Sequence, residues 1–370
     1  MTTTLPHLPP VPLLRTKLFP ADAGASILLP RSALIERLMA ARAHRLVVLS
    51  APAGFGKSTV LSLLRQHLEH EGSRVAWLSC DESDSEPARL LQYLCAAIET
   101  VAPTFSSTAT GLVASEVNWP VEALIDAFVA DLKRLDGQTY LMLDDFHRVR
   151  DPALGQAMRY LLKSLPERVH LIVSTRYKPR FINAEQDSNS WAFWLLAEDL
   201  RLSRDETAAY FVQIKKIELS PAELDVLQAR TEGWITALHL AALALVRNSD
   251  RAAFLAGLSG TERNIADYLA EDVLASLPAE LQLFLDQTSV LDEFSAELCN
   301  ALTGRSDGLD MLMRLQGEQL FIIPLDEQGE WFRYHHLFAE FLQGRLARRG
   351  DTAALLNAAA RWCEARDLPD

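Results

Sequence analysis

A glycine-rich loop that ends in a lysine and two hydroxyl residues lies near the start of the sequence. Residues 50–59 read SAPAGFGKST, and the apolar run Leu46–Leu49 precedes them. Glycines at 54 and 56 let successive backbone N–H groups turn to one side and surround an anion. The Lys57 ammonium would then lie between the outer phosphates of a nucleotide, and the Ser58 hydroxyl is a suitable Mg²⁺ ligand. The loop therefore predicts binding of ATP or ADP with Mg²⁺.

The loop departs at one position from the usual phosphate-binding pattern G-x-x-x-x-G-K-[ST]. Ala51 stands where that pattern has its first glycine. A residue that carries a Cβ atom is acceptable there if its φ angle is negative. The predicted nucleotide-binding residues of the loop are Ala53, Gly54, Phe55, Gly56, Lys57, Ser58 and Thr59.

A second candidate segment is the apolar run Tyr140–Leu143, which ends in two carboxylates. This is the Walker B arrangement of a P-loop ATPase. Asp144 is predicted to hold the hydrated Mg²⁺ together with Ser58. Asp145 is predicted to be the catalytic residue that polarises a water molecule for attack on the γ-phosphate.

A polar segment, Ser174-Thr175-Arg176, ends a further apolar run. In P-loop ATPases with an extra strand between the Walker A and Walker B strands, a polar residue at this place can touch the γ-phosphate. Arg176 is therefore a candidate nucleotide-binding residue, because its guanidinium matches phosphate oxygens. An ordinary surface arginine is the alternative.

The elements that must position these residues alternate between strand and helix patterns. Strands that are apolar throughout indicate a parallel sheet covered on both faces, as in a P-loop NTPase of the ASCE type. The predicted strands are 46–49, 75–78, 140–143 and 169–173, and the predicted helices are 31–43, 57–68, 87–99, 121–135 and 153–165.

After Leu202 the strand signal fades and helix signals dominate. Ser203–Glu206 and Ser220–Glu223 are capping boxes, each of which marks the start of a helix. Further on, Leu320–Pro324 and Trp331–Tyr334 are short strand-like runs around a turn, and a hairpin after helices suggests a winged helix. The fold class is thus α/β plus α. The predicted domains are an arm (1–30), a nucleotide-binding domain (31–202), a helical domain (203–260), a winged helix (261–348) and the start of a helical-repeat region (349–370).

Composition limits the function classes. The net charge of −13 argues weakly against direct binding of these residues to nucleic acid. The four cysteines share no metal-binding spacing, and reduced thiols fit them best. No secretory signal and no apolar run long enough for a bilayer is visible, so a cytoplasmic protein is expected.

Several segments in the same order resemble one family. The chain resembles the STAND class of signal-transduction ATPases, and within it the large LuxR-type, MalT-like transcription activators. Besides the generic P-loop, the resemblance rests on 14–18, 143–147, 174–176, 231–238 (TEGWITAL) and 330–338 (EWFRYHHLF).

The resemblance implies a nucleotide-binding domain, a helical domain and a winged helix that close over ADP in the resting state. It implies that His335 lies near the β-phosphate and that Trp234 packs by the adenine. Leu29 and Arg31 of the arm, with Leu28, would close the other side of the base. On spacing alone, core packing is the alternative for Trp234 and His335.

The function expected from the resemblance is that of an ATP/ADP switch with weak, slow ATPase activity. An unknown inducer would act through a C-terminal sensor, ATP would promote self-association, and DNA would be bound through a C-terminal helix-turn-helix. Both of these regions would lie past residue 370, where the natural chain is expected to continue. An AAA+ remodelling machine is the alternative; a kinase or transferase is a third possibility, without a visible acceptor motif.

Overall fold

The computed structural model describes residues 13–20, 28–115, 117, 119–179, 181–182, 191–247, 251–259, 263–275, 277–317, 320–326, 329–350 and 352–366. Contacts divide the chain into two compact units. The first contains the residues up to 50 together with 57–199, and the second contains 51–56 together with 200–370. Six residues of the phosphate loop thus belong to the second unit by their contacts.

The first unit is built on a five-stranded parallel sheet in the order β2-β3-β4-β1-β5. Its strands are β1 (Leu46–Ser50), β2 (Arg74–Ser79), β3 (Thr139–Asp144), β4 (Val169–Thr175) and β5 (Ala192–Leu195). Strands β1, β3 and β4 are buried along their whole length, as expected for a sheet covered on both faces. Because β4 lies between β1 and β3, the predicted extra strand is confirmed, and the carboxyl ends of all three meet at one edge.

Helices of the first unit follow the predicted positions closely. Proline occupies an N-terminal position of α3 and α6, where its missing N–H is not needed. The sequence patterns do not predict helices α4 and α7 or strand β5. The helices are α1 (Ser32–Ala40), α2 (Lys57–His70), α3 (Pro87–Val101), α4 (Thr108–Val113), α5 (Val121–Leu132), α6 (Pro152–Ser164) and α7 (Ala197–Leu200), with 3₁₀ turns at 15–18, 41–43, 82–85 and 146–148.

The second unit begins with the two helices that the capping boxes predict. In both boxes the serine hydroxyl accepts from the N3 amide while the N3 glutamate accepts from the serine amide. The helices are α8 (Arg204–Ala209), α9 (Pro221–Thr231), α10 (Ile235–Arg247), α11 (Arg251–Ala256), α12 (Arg263–Tyr268), α13 (Ala279–Thr288), α14 (Ala296–Thr303), α15 (Gly308–Gly317), α16 (His336–Ala347) and α17 (Thr352–Glu364), and π-helical turns at 210–215 and 269–274 extend α8 and α12.

The predicted hairpin is present and gains a third strand. Strands β7 (Ile322–Pro324) and β8 (Trp331–Tyr334) pair antiparallel, and β6 (Phe294–Ser295) pairs with the other side of β8. Helices followed by this small sheet are the winged-helix arrangement.

The structure bears on the cysteines and on the search for membrane-spanning helices. Cys80, Cys95, Cys299 and Cys363 are all free thiols, and the first three are buried. Among the described residues, no helix combines the length and the apolar character that a bilayer crossing requires.

The short connection between α9 and α10 contains a glycine that has no room for a side chain. Gly233 has a φ of +73°, and a Cβ built on it would lie 2.2 Å from the Leu202 carbonyl oxygen. We expect Gly233→Ala to lower the free energy of unfolding by about 3 kcal/mol, since backbone strain and a backbone clash add together. Urea denaturation followed by circular dichroism measures the loss.

Gly72→Ala is the matched control for this prediction. Gly72 has a φ of +83°, but a Cβ built on it would meet no atom of the described residues within 4 Å. Only the left-handed backbone is then unfavourable, at a cost of about 1 kcal/mol. Equal losses for the two variants would contradict the clash at Gly233.

Candidate functional site

The phosphate loop has the backbone geometry that the sequence predicts. Gly54 and Gly56 both have a φ of +75°, and α2 begins directly afterwards at Lys57. Ala51 is not among the residues with positive φ and is fully buried, so the departure from the usual first glycine is accommodated as expected. The loop therefore offers its amides and a helix N-terminus to an anion.

Lys57 supplies a cation that is buried from solvent. Its side chain is buried, and burial lowers the pKa of its ammonium to about 8, assisted by the charge of Arg176 and opposed by Asp145 and Asp144. A phosphate beside it would favour the charged form again, because an opposite charge stabilises the ammonium. Lys57 is thus prepared for an anionic ligand.

The two predicted Mg²⁺ ligands lie together. The Ser58 hydroxyl lies close enough to the Asp144 carboxylate to lower its pKa, and Ser174 donates a hydrogen bond to the same carboxylate. Burial nevertheless raises the pKa of Asp144. A hydroxyl and a carboxylate oxygen side by side fit the hard-oxygen donor set of Mg²⁺, so these residues would hold the ion next to the phosphates.

Asp145 adopts an unusual backbone conformation directly after β3. Its φ is +55°, in the left-handed region that is uncommon for residues other than glycine. The Asp145 amide donates to the Ser174 hydroxyl at 2.9 Å. Because that hydroxyl also donates to the Asp144 carboxylate, one serine on β4 binds the carboxylate of Asp144 and the backbone of Asp145. The predicted site residues did not include Ser174; its place at the end of the adjacent strand was the only signal.

Arg176 lies at the end of β4 and is half-buried. Its charge acts on both Lys57 and His147, which places it at the same edge of the sheet. The structure therefore brings together Lys57, Ser58, Asp144, Asp145 and Arg176. Contact of Arg176 with a γ-phosphate stays a prediction.

The loop residues of the second unit pack against the segment that follows α9. The Phe55 ring stacks on Trp234 with centroids 6.4 Å apart, and it also contacts Phe321 at 6.1 Å. The Thr236 hydroxyl donates to the Gly54 carbonyl at 2.9 Å. The loop is therefore held by the side chain of Phe55 and by the backbone of Gly54.

Trp234 and His335 are neighbours in the same unit. Their ring centroids are 5.8 Å apart, and both side chains are almost fully buried. His335 Nε2 bonds the Thr231 carbonyl at 3.1 Å, whereas His335 Nδ1 and Trp234 Nε1 are buried without a hydrogen-bond partner among the residues that the structure describes. Unpaired buried polar atoms are uncommon, and a polar ligand would satisfy them. The predicted contacts with adenine and β-phosphate stay predictions.

The other predicted nucleotide-binding residues lie before α1, in the loop and on α2. Leu29 and Arg31 lie just before α1 in the first unit, Leu29 half-buried and Arg31 buried. Ala53 is half-buried, and Thr59 is exposed on the first turn of α2. A role in closing over the base stays a prediction for Leu29 and Arg31.

A cluster of charges that the sequence analysis did not identify links the two family-specific segments. Glu232 accepts from Arg201 at 2.8 Å, from both terminal nitrogens of Arg333 at 3.0 and 3.2 Å, and from His336 Nδ1 at 3.1 Å. We call these four residues the Glu232 cluster. Burial opposes ionisation of Glu232, but the hydrogen bonds from His336 and Arg333 hold its pKa far below the usual range.

The same region contains a geometric set of metal donors. Ligand atoms of Glu232, His335 and His336 lie within 4.8 Å of one another. Arg201 and Arg333 already neutralise the carboxylate. The set is therefore explained as an ion-pair network without a metal.

Stability is expected to fall as the pH decreases from 6.5 toward 4. Burial lowers the pKa of His335 from 6.5 to about 4, so the folded protein keeps it neutral while the unfolded chain takes up a proton. The stabilisation is complete above pH 6.5 and is lost below it, by about 2 kcal/mol at pH 5. Urea denaturation at pH 7, 6 and 5 measures the slope.

The contribution of His335 is isolated by His335→Gln, which removes this part of the slope. His67→Gln is the control, because the His67 side chain is 52% exposed. An identical pH slope in the wild-type protein and His335→Gln would contradict the prediction.

Comparison with known proteins agrees with this geometry. Residues 30–174 match the AAA ATPase domain and residues 270–354 match the MalT winged helix domain. The serine/threonine-protein kinase PknK of Mycobacterium tuberculosis is 32% identical over 359 residues, which are 96% of this chain and 32% of that protein. The HTH-type transcriptional regulator MalT of Vibrio cholerae is 32% identical over 353 residues, 94% of this chain and 38% of that protein.

Among solved structures, the Walker-type ATPase PABY2304 of Pyrococcus abyssi has a TM-score of 0.57 at 12% identity, covering 85% of this chain and 96% of that one. This likeness concerns the fold. The chain spans about a third of the length of the curated relatives given above. Together the matches confirm the MalT-like part of the resemblance predicted from the motifs: residues 30–174 match an AAA ATPase domain and residues 270–354 a MalT winged helix domain.

Proposed function

We propose that this chain is the nucleotide-switched regulatory part of a transcription activator of the STAND class. ADP binds in the resting form, ATP with Mg²⁺ binds in the active form, and slow hydrolysis at Asp145 returns the protein to rest. The similarity to MalT supports the regulatory role, and the AAA ATPase domain supports nucleotide binding.

The observation that carries the proposal is the packing of the phosphate loop. Residues 51–56 belong by their contacts to the unit that contains the winged helix. The Gly54 carbonyl accepts from Thr236, and Phe55 packs on Trp234. In the proposal, a nucleotide bound at residues 51–56 changes how Gly54 and Phe55 pack on Thr236 and Trp234.

Energetics set what the nucleotide must achieve. Moving a two-state population from 1:99 to 99:1 requires a difference in binding free energy of about 5.5 kcal/mol between the two forms. Part of this difference comes from nucleotide contacts, and the remainder from the inducer and from self-association of the ATP form. The helix-turn-helix for DNA and the inducer sensor belong to further regions of such activators, and the proposal assigns the protein to the cytoplasm.

Calorimetry and gel filtration test the switch. The purified protein is titrated with ADP and with ATP in the presence of Mg²⁺, after any copurified nucleotide has been removed. We expect binding of both nucleotides and a larger species only with ATP and inducer. Absence of binding at millimolar nucleotide would overturn the proposal, and rapid turnover without an inducer would favour a remodelling machine instead.

Asp145→Asn separates binding from hydrolysis. The amide keeps the size of the side chain but cannot polarise water as a carboxylate does. We expect the rate of ATP hydrolysis to fall about 100-fold, while the Kd for ATP changes less than about threefold. Single-turnover hydrolysis and calorimetry measure the two quantities.

The matched control is Asp151→Asn. Asp151 caps α6 through the Ala153 amide and takes no part in the proposed site. Its replacement should leave the hydrolysis rate unchanged. Equal rates for wild type and Asp145→Asn would remove Asp145 from the proposed mechanism.

A further inference from the structure

A buried histidine lies beside the proposed catalytic carboxylate. His147 is 9% exposed, two residues after Asp145, in the 3₁₀ turn that follows β3. Its Nδ1 is buried without a hydrogen-bond partner in the described part of the chain. Burying a ring nitrogen without a hydrogen bond costs free energy of desolvation, so such a nitrogen in a folded protein usually has a partner in some functional state.

A charged group close to that nitrogen is the carboxylate of Asp145. His147 Nδ1 lies 3.9 Å from Asp145 Oδ1, and Arg148 Nε lies 3.7 Å from Asp145 Oδ2. Both distances exceed a hydrogen bond by less than about 1 Å. The Asp145 side chain is 38% exposed, so its carboxylate has space to turn and close the gap.

Tyr177 contacts both the backbone and the ring of His147. The Tyr177 hydroxyl donates to the His147 carbonyl, and the two rings pack edge to face with centroids 6.0 Å apart. Tyr177 directly follows Arg176, so the residue that contacts His147 is the chain neighbour of a candidate nucleotide-binding residue. A fixed ring with an available nitrogen next to a movable carboxylate is suited to orient that carboxylate.

The charge state of the His147 ring is consistent with a hydrogen-bond donor to Asp145. Burial, assisted by the charges of Arg176, Lys57, Arg148 and Arg150, lowers the pKa of His147 to about 3. The imidazole is therefore neutral at physiological pH, with one N–H to donate. Simple packing explains the burial of the ring but not the unsatisfied nitrogen, because an apolar side chain would pack there without that cost.

We propose that His147 is a positioning residue for Asp145: with ATP bound, its Nδ1–H donates to Asp145 Oδ1 and fixes the carboxylate toward the attacking water. No proton is transferred in this step, since the neutral ring only donates a hydrogen bond. The inference rests on the proposed ATP hydrolysis and names a residue on which its rate depends.

Two replacements at position 147 separate positioning from packing. Asparagine places an amide N–H close to the site of Nδ1, whereas leucine fills the space without a donor. We expect His147→Leu to lower the single-turnover rate of ATP hydrolysis about tenfold or more, and His147→Asn to stay within about threefold of wild type. The Kd for ADP should change less than about twofold in both.

His170→Gln is the matched control, because His170 is a buried histidine of the same unit whose ring nitrogens are both paired, with the His44 carbonyl and with Gln138. It should lower the melting temperature without changing the hydrolysis rate of the folded protein. Tyr177→Phe removes only the hydroxyl that anchors His147, and it should lower the rate about threefold. This variant keeps the test decisive if His147→Leu does not fold.

Several results would overturn the positioning role. One is a wild-type rate of ATP hydrolysis in His147→Leu. Another is an equal loss of hydrolysis rate in the asparagine and leucine variants that parallels their loss of melting temperature. Loss of ADP binding in both variants would overturn it as well, because His147 would then act on binding. Failure of the wild-type protein to bind nucleotide would instead overturn the proposed function.

Discussion

Replacing Lys57 with alanine should abolish nucleotide binding at physiological concentrations. The variant loses the only charge that the loop itself contributes to the phosphates, within a site where burial strengthens charge interactions. We expect the Kd for ADP and for ATP to rise about 100-fold or more, which corresponds to about 2.7 kcal/mol. Isothermal titration calorimetry measures both constants.

Lys17→Ala is the matched control for Lys57→Ala. Lys17 is also a buried lysine of the first unit, but it is paired with both oxygens of Asp84 at 2.8 Å and with Asp81 at 2.7 Å. Its loss leaves Asp84 buried without its cation and should lower stability without affecting nucleotide affinity. If Lys57→Ala binds ADP as tightly as Lys17→Ala does, the loop is not the phosphate site.

Replacing Glu232 with glutamine should strongly destabilise the second unit. The Glu232 side chain is 15% exposed, and its removal leaves Arg201 and Arg333 facing each other without their common anion. Breaking a buried ion pair from one side is strongly unfavourable, so we expect a loss of about 3 kcal/mol in unfolding free energy. Urea denaturation gives the value.

A surface pair of the same unit provides the comparison. Glu340 lies 3.3 Å from Arg230, with side chains 29% and 41% exposed. Glu340→Gln should cost less than about 1 kcal/mol, because exposed ion pairs contribute little. If the two glutamine variants lost similar unfolding free energy, the Glu232 cluster would contribute no more to stability than a surface ion pair.

The sequence allowed the sheet to be predicted because its strands are uniformly apolar and end in recognisable polar residues. The order of β1, β4 and β3 followed from the motifs and is confirmed. Strand β5 was missed because it has four residues, two of them only half-buried, and no motif at its end. Helix α4 was missed because its six residues include two threonines and a glycine, which favour no helix by themselves.

The site was predictable where chemistry is local in sequence and not where it depends on tertiary contacts. The loop, Ser58 and Asp144 follow from spacing alone. Glu232 and Arg333 are 101 positions apart, so no periodicity connects them. In the sequence, His147 is one residue of a family segment. Only its position beside Asp145 and its ring nitrogen without a partner among the described residues distinguish it from a core histidine.

The partition of the chain at the phosphate loop has a consequence for dissecting the molecule. Cutting after Asp199 would retain every strand of the parallel sheet and also Lys57, Ser58 and Asp144. The excised piece would nevertheless lack Thr236 and Trp234, on which Gly54 and Phe55 rest. Such a fragment would contain the glycine-rich loop and both carboxylates at the end of β3, but not the residues against which that loop packs, so the end of the parallel sheet is a poor place to end a nucleotide-binding fragment.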